Sequence, residues 1–289
     1  MGPDLRPRRS VLYMPGANER ALEKAQTIPA DALILDLEDA VAPDAKPEAR
    51  ARVCAAATSG AYGNREIAIR ANGIGTAWHQ DDLAAIAAAG PAAVVVPKIG
   101  SSADVHQIEK ALEAGGAPDH TLIWAMLETP RAMLAALDIA TSSERLAVLV
   151  MGTNDLAKEL QAAHSPGRQP LQAGLGLCLL AARAAGKVIL DGVYNDIQDQ
   201  AGFLAECEQG RDLGFDGKTL IHPSQVGPCN TTFAPASDAV DKARRIIAAF
   251  EEAEADGRGV VTVDGRMVEN LHVDQARRTL AISEAIAAL

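Results

Sequence analysis

Short runs of apolar, largely β-branched residues recur along this chain, and each is followed by an alanine-rich stretch with helical spacing. The runs fall at 10–13, 32–35, 66–69, 93–96, 122–126, 146–150, 187–190 and 217–221. Strands that alternate with helices predict a parallel sheet with helical crossovers. Eight such units favour a closed (β/α)8 TIM barrel, with an open doubly wound sheet as the alternative that periodicity alone leaves standing. The length of 289 residues suits one barrel with a short extension.

Helix ends are legible. Pro15-Gly16 turns the chain into a helix expected over 18–26. Asp81 is the expected cap of a helix that stops near Gly90-Pro91, and Ser101 or Ser102 the cap of one that ends at Gly115-Gly116. The stretch 164–172 holds Gly and two Pro and reads as a loop, lengthening the sixth strand–helix unit. After Pro223 the pattern changes: an amphipathic helix over 236–255, a small hairpin over 260–267 turning at Asp264-Gly265, and a last helix over 273–289. The expected organisation is a catalytic barrel over 1–228 and a C-terminal helical and hairpin extension over 229–289.

Composition narrows the function. Aromatic residues are only 3% and the formal net charge is −11, which argues against a nucleic-acid surface. No apolar run is long enough to span a membrane, Val11–Met14 is too short for a secretory core, and Arg6 keeps Gly2 from opening a myristoylation motif. Cys54, Cys178, Cys207 and Cys229 form no C-x-x-C pair, so free thiols in a reducing cytoplasm are expected.

The chemistry shows at the strand ends. Asp36, Glu38 and Asp39 come after the second strand, Arg70 after the third, Lys98 after the fourth, Glu128 after the fifth, Asp155 after the sixth and His222 after the eighth. In a barrel these strand ends meet at one face, the face that carries catalysis. Each residue also has a plainer reading. Glu128 and Asp155 suit helix starts, Arg70 suits an ion pair with Asp36 or Glu38, and His222 suits a turn before Pro223. Together they suggest a hard, oxygen-rich site: Glu128 and Asp155 for one Mg²⁺, with Arg70 opposite to hold a carboxylate or developing oxyanion. Lys98 joins Arg70 and Glu128 as a substrate-binding candidate, and Glu38 and Asp39 join Arg70 as catalytic candidates. Zinc is disfavoured, because no paired-His spacing exists. GFDGKTL is not a phosphate loop, since Asp212 stands where its first glycine belongs, and no G-x-S-x-G elbow is present.

The blocks RRSVLYMPGANERALEKA, LDLEDAV, IRANG, PKI, LETPRA, MGTNDL, LGFDGKTLIHPSQV and VDGRM, in that order, resemble the citrate lyase β-subunit-like family of the HpcH/HpaI aldolase superfamily. The resemblance implies a metal-dependent barrel in which Glu128 and Asp155 bind Mg²⁺ and Arg70 binds the substrate carboxylate and carbonyl oxygen. It also implies that Asp264 lies on a C-terminal lid that serves the neighbouring subunit of a homotrimer and moves a proton. Asp39 stands where the free-aldehyde aldolases carry a catalytic histidine, which counts against a CoA-independent pyruvate-type aldolase. Val268-Glu269 after the lid block and Leu156 after Asp155 also depart from the usual pattern. The expected activity is a carbon–carbon lyase that cleaves or forms a citryl-, malyl- or citramalyl-CoA, giving acetyl-CoA and a 2-oxo acid. The alternatives are a malyl-CoA thioesterase and a lyase subunit active only in a complex. Arg20 and Lys24 are candidates for the CoA phosphates.

Overall fold

The computed structural model describes residues 6–255 and 261–289. Gly2 and Val260, the first residue of the expected hairpin, lie outside them. The chain divides into two compact units, one over Arg8–Phe233 and one built on Ala234–Leu289.

The first unit is a closed barrel of eight parallel strands in sequential order. The strands are β1 Ser10–Pro15, β2 Ala32–Asp36, β3 Glu66–Arg70, β4 Ala93–Val96, β5 Leu122–Leu127, β6 Leu146–Met151, β7 Val188–Asp191 and β8 Gly217–Leu220. Successive side chains of a strand point to opposite faces, and here both faces are buried, which is why the strands read as continuous apolar runs. One set of alternate residues, including Val11, Ile34, Val95, Trp124, Met126, Val148, Val150 and Leu190, packs as one cluster along the barrel axis. The other set, including Leu12, Leu33, Leu35, Ile69, Val94, Ile123 and Leu149, packs in a larger cluster with the residues of the surrounding helices.

Closure comes from pairing β1 with β8, where Ser10 faces Lys218, Val11 faces Thr219 and Leu12 faces Leu220. At this seam a side chain at Gly217 would run into the carbonyl oxygen of Arg8. Inside, the unit carries a buried charged cluster. The Lys218 ammonium lies 3.0 Å from Asp191 and 2.7 Å from Glu206, and Arg168 pairs with Asp191 at 2.6 Å. A buried lysine is tolerable only with such partners, because removing one strands the other charge.

Several local expectations are corrected. The helix after the third strand is His79–Ala89, so Asp81 sits in its first turn and is not its cap. Of the two serines expected as caps of the next helix, Ser102–Ala114, it is Ser101 that serves. The stretch expected as a loop contains a 3-10 turn, Pro166–Leu171, in which Arg168 takes a left-handed backbone (φ 52°) while its side chain pairs with Asp191. The expected boundary at 228/229 falls inside the helix Val226–Phe233, which packs with the helix Gln200–Leu213 as part of the barrel unit.

The second unit pairs the helices Ser237–Ala255 and Asn270–Ala287. Between them β9 Val261–Val263 and β10 Arg266–Val268 form an antiparallel hairpin. Asp264 (φ 50°) and Gly265 (φ 75°) make its two-residue turn, the left-handed pair a tight hairpin requires. Phe250, Val268 and Val273 form its small core, and Arg245 pairs with Asp264 at 3.0 Å.

The tightness of the seam is testable. Gly217→Ala should lower the stability of the protein by about 1–3 kcal/mol through overpacking, seen as a fall of several degrees in Tm. A Tm equal to wild type would mean that the β1–β8 seam can open enough to admit a methyl group.

Candidate active site

At the carboxyl ends of the strands lies a cavity of about 360 Å³. Asp36, Asp39, Arg70, Glu128 and Asp155 line it, with Tyr13, Met126, Thr153, Asn195 and Thr219 among their neighbours. Five of the residues picked out from strand ends therefore meet. Glu38 and Lys98 reach the same group through ion pairs. His222 does not join: its ring bonds Ser224 and caps the short turn Pro223–Gln225, so its plainer reading is the right one.

Arg70 is held rigidly. Asp36 takes it in a two-point grip, Oδ1 to Nε at 2.6 Å and Oδ2 to Nη2 at 2.7 Å. Glu38 pairs with Nη1 at 2.6 Å, and Asp39 lies 3.7 Å away. Three of the five guanidinium N–H groups are thus committed and two remain for a ligand. Burial alone would lower the affinity of Arg70 for its proton, but Asp36 outweighs it, so the side chain stays charged. Glu38 is different. Burial pushes its carboxyl up to about 7, because Arg70, already shared with Asp36, only partly offsets the loss of water and Asp39 and Asp36 add repulsion.

The LDLEDAV loop is fixed from behind by Lys46, a residue that sequence reading missed. Its buried ammonium donates to the carbonyls of Leu37 (2.8 Å) and Glu38 (2.9 Å) and to Asn72 Oδ1 (2.7 Å). Asp36 adds the last ties by accepting from the N–H groups of Glu38 and Ala40.

Glu128 comes directly after β5, just before the helix Pro130–Leu134, whose cap is Thr129. Its carboxylate bonds elsewhere: Oε1 accepts the N–H of Lys98 at 2.7 Å. Lys98 presents that N–H from a left-handed backbone (φ 57°), a costly conformation for a residue with a side chain. The other carboxylate oxygen lies over Gly152, where any Cβ would overlap it. Asp155 lies in the first turn of the helix Thr153–Glu159, which Gly152 caps without a side-chain bond. Lys98 Nζ is 3.8 Å from Asp155. For Lys98, Asp155 and Glu128 outweigh burial and raise the pKa.

Glu128 is only 3% exposed. Burial first, then the charge of Asp155, push its carboxyl up to about 7. Two carboxylates from adjacent strands, one of them buried, ask for a cation. Among the described residues no three His, Cys, Asp or Glu side chains gather as a ligand set. The donors of the pair are all carboxylate oxygens, which suit a hard ion such as Mg²⁺ that keeps several positions for water and substrate oxygens.

A second cavity, of about 440 Å³, adjoins the first and shares Thr153, Asn154, Val193 and Asn195 with it. Asn154 and Asn195 bond each other reciprocally at 3.0 and 2.7 Å and form the ridge between the two. Tyr13, at the barrel end of the first cavity, has its ring 4.9 Å from the Arg70 guanidinium carbon. Its hydroxyl donates to the Met126 sulfur at 3.7 Å. The only signal for Tyr13 in the sequence was its parity with the inward-facing Val11.

The perturbed Glu128 has a consequence for stability. Its carboxyl titrates near 4.5 when unfolded and near 7 when folded without metal. The native state thus binds the extra proton between those values, and stability falls as pH rises through that window. Glu128→Gln should remove this loss. At pH 8 the metal-free variant should be more stable than metal-free wild type by up to about 3 kcal/mol, while at pH 4 the two should be close. Equal Tm values at both pH values would mean that the carboxyl is not held out of water as described.

Three comparisons place the chain. The sequence profile of the HpcH/HpaI aldolase/citrate lyase family matches residues 9–223. A (3S)-malyl-CoA thioesterase of Cereibacter sphaeroides is 55% identical over 98% of this chain and 96% of that protein. Citrate lyase subunit beta of Escherichia coli is 38% identical over 96% of this chain and 94% of that subunit. The crystal structure of CitE from Mycobacterium tuberculosis, in complex with magnesium, acetoacetate and coenzyme A, is 29% identical. It superposes with a TM-score of 0.78 and covers 96% of this chain and 98% of its own. The barrel, the ordered strand-end blocks and these matches agree: this chain belongs to the HpcH/HpaI aldolase/citrate lyase family.

Proposed function

We propose that the protein is a Mg²⁺-dependent enzyme of 3-hydroxy-acyl-CoA thioesters that hydrolyses a malyl-type thioester to the free acid and CoA. The similarity to malyl-CoA thioesterases over nearly the whole chain carries this choice over carbon–carbon cleavage. The gathering of Glu128, Asp155 and Arg70 in one cavity supports the site chemistry. Glu128 and Asp155 hold the metal, and Lys98 fixes Glu128 through its backbone N–H. Bound there, Mg²⁺ polarises the oxygens of the acyl group. Arg70 offers its two uncommitted N–H groups to the acid's carboxylate and carbonyl oxygen, with no reorganisation, because Asp36 and Glu38 already fix it. In hydrolysis a water oxygen bonds to the thioester carbon, the C–S bond breaks, and the CoA sulfur leaves with the electron pair and takes up a proton.

The second reading is the carbon–carbon lyase, favoured by the similarity to citrate lyase β subunits. It uses the same groups: Arg70 holds the departing 2-oxo acid, and Asp264, supplied by a neighbouring subunit of a homotrimer, exchanges the proton at the acetyl methyl carbon. Glu38 and Asp39 beside Arg70 remain candidates for proton transfer. Arg20 and Lys24, both exposed on the helix Glu19–Ala25 that comes after β1, are candidates for the CoA phosphates. No helix among the described residues is long and apolar enough to cross a membrane, and we assign the enzyme to the cytoplasm.

Purified protein with Mg²⁺ and (3S)-malyl-CoA should release malate and CoA, read by mass. Acetyl-CoA and glyoxylate as the products would select the lyase instead, and activity that appears only with an acyl carrier protein would select a subunit of a complex. Glu128→Ala should abolish turnover and leave the fold intact; unchanged turnover would remove the metal-site assignment. Under the lyase reading with its shared lid, Arg70→Ala and Asp264→Asn should each be nearly inactive alone. Co-refolded as mixed oligomers they should recover activity at about a quarter of the sites under head-to-tail assembly. Mixed oligomers without recovery would rule out a shared site.

A further inference from the structure

The active-site cavity contains one phenolic hydroxyl, and the chemistry above does not use it. Tyr13 lines the cavity together with Arg70 and Glu128. Strand alternation turns it inward from β1, and it packs against the cluster along the barrel axis. The Arg70 guanidinium lies over its ring, at 4.9 Å, which fixes the ring plane and leaves the hydroxyl free to rotate about its C–O bond. Among the described residues the hydroxyl's partner is the Met126 sulfur, 3.7 Å away. A thioether is a weak acceptor, so a half-buried donor in a cavity lined with carboxylates is nearly unsatisfied. Buried polar groups in that position have a better partner in some state of the protein.

We propose that Tyr13 is a substrate-binding residue. Its hydroxyl turns from Met126 and donates a hydrogen bond to an oxygen of the acid held between Arg70 and the Glu128–Asp155 pair. The inference rests on the acid-binding role given to that site. Its ligand class is a short 2-oxo or 2-hydroxy acid, which presents several oxygens within a few ångströms of one another. Three donors would then converge on one anion: two N–H groups of Arg70 and the Tyr13 hydroxyl. Met126 acts only as the resting partner of the hydroxyl.

The test is calorimetric binding of glyoxylate and of pyruvate to the full chain in Mg²⁺, with wild type and Tyr13→Phe. Tyr13→Phe keeps the ring and its contact with Arg70. It should weaken binding of the acid about tenfold, the loss expected for one hydrogen bond to a charged acceptor, with Tm and Mg²⁺ affinity unchanged. Tyr13→Phe binding within twofold of wild type would overturn the proposal while leaving the acid site standing. A Tyr13→Phe protein whose Tm falls while its acid affinity holds would overturn it too, by showing a merely structural hydroxyl. Failure of the wild type to bind either acid in Mg²⁺ would overturn both this inference and the reading it rests on.

Discussion

Closing eight parallel strands into a barrel forces every second residue toward one axis, and the layout of the site depends on that constraint. Tyr13 on β1, Asp36 on β2, Arg70 on β3 and Met126 on β5 line the same cavity because each belongs to the inward-facing set of its strand. Lower down, the same set is mostly apolar: Ala32, Ala68 and Ala93 are small and pack in one cluster with the fully buried Trp124. The apolar layer excludes water from beneath the cavity. That exclusion makes the carboxyls above it expensive to ionise and raises both Glu38 and Glu128 to about 7.

The two glutamates answer that cost differently. Glu38 has a cation of its own in Arg70, though a shared one. Glu128 has a backbone N–H from Lys98 and, close by, the repulsive charge of Asp155. A protein selected for stability alone would hardly keep a buried carboxylate beside another carboxylate, nor hold Lys98 in a left-handed backbone to serve it. The strain, the absent side chain at Gly152 and the perturbed carboxyl all concern one atom group, the Glu128 carboxylate. Local rules broken together at one point of an otherwise consistent fold mark function.

Most of the barrel was legible because its signal is local. An apolar run that stops at Arg70, Glu128 or Asp36 announces both a strand and its functional end, and all eight strands appear where the runs predicted them. Asp264-Gly265 announced its turn in the same way. Other features were hidden for physical reasons. Tyr13 is a good strand former, so a functional tyrosine and a packing one look alike in sequence. Lys218 reads as an exposed strand residue until Asp191, 27 positions earlier, and Arg168, in a left-handed turn, are brought beside it. Lys46 reads as a solvated helix start, yet it is buried and holds the carbonyls of the loop that positions Glu38. These pairings depend on which loops meet, and no short window of residues records that.

The geometry also explains why hydrolysis and carbon–carbon cleavage can share one family. Both reactions need the same acid held by the same charges, since either one builds negative charge on oxygens of the acyl group. In the function proposed above, Arg70 and the Glu128–Asp155 pair would meet that need without specifying the bond that breaks. The choice must then rest on what stands beside the acyl group: a water in place for the thioester carbon, or a proton-transfer group in place for the methyl carbon. On the proposed reading, the residues that shape those positions are others than Arg70, Glu128 and Asp155. Asn154 and Asn195 form the ridge between the two cavities, and Asp264 lies on a separate unit of the chain. On that reading, a change of reaction in this chain would need changes around the acyl group and in the extension, with Arg70, Glu128 and Asp155 left as they are.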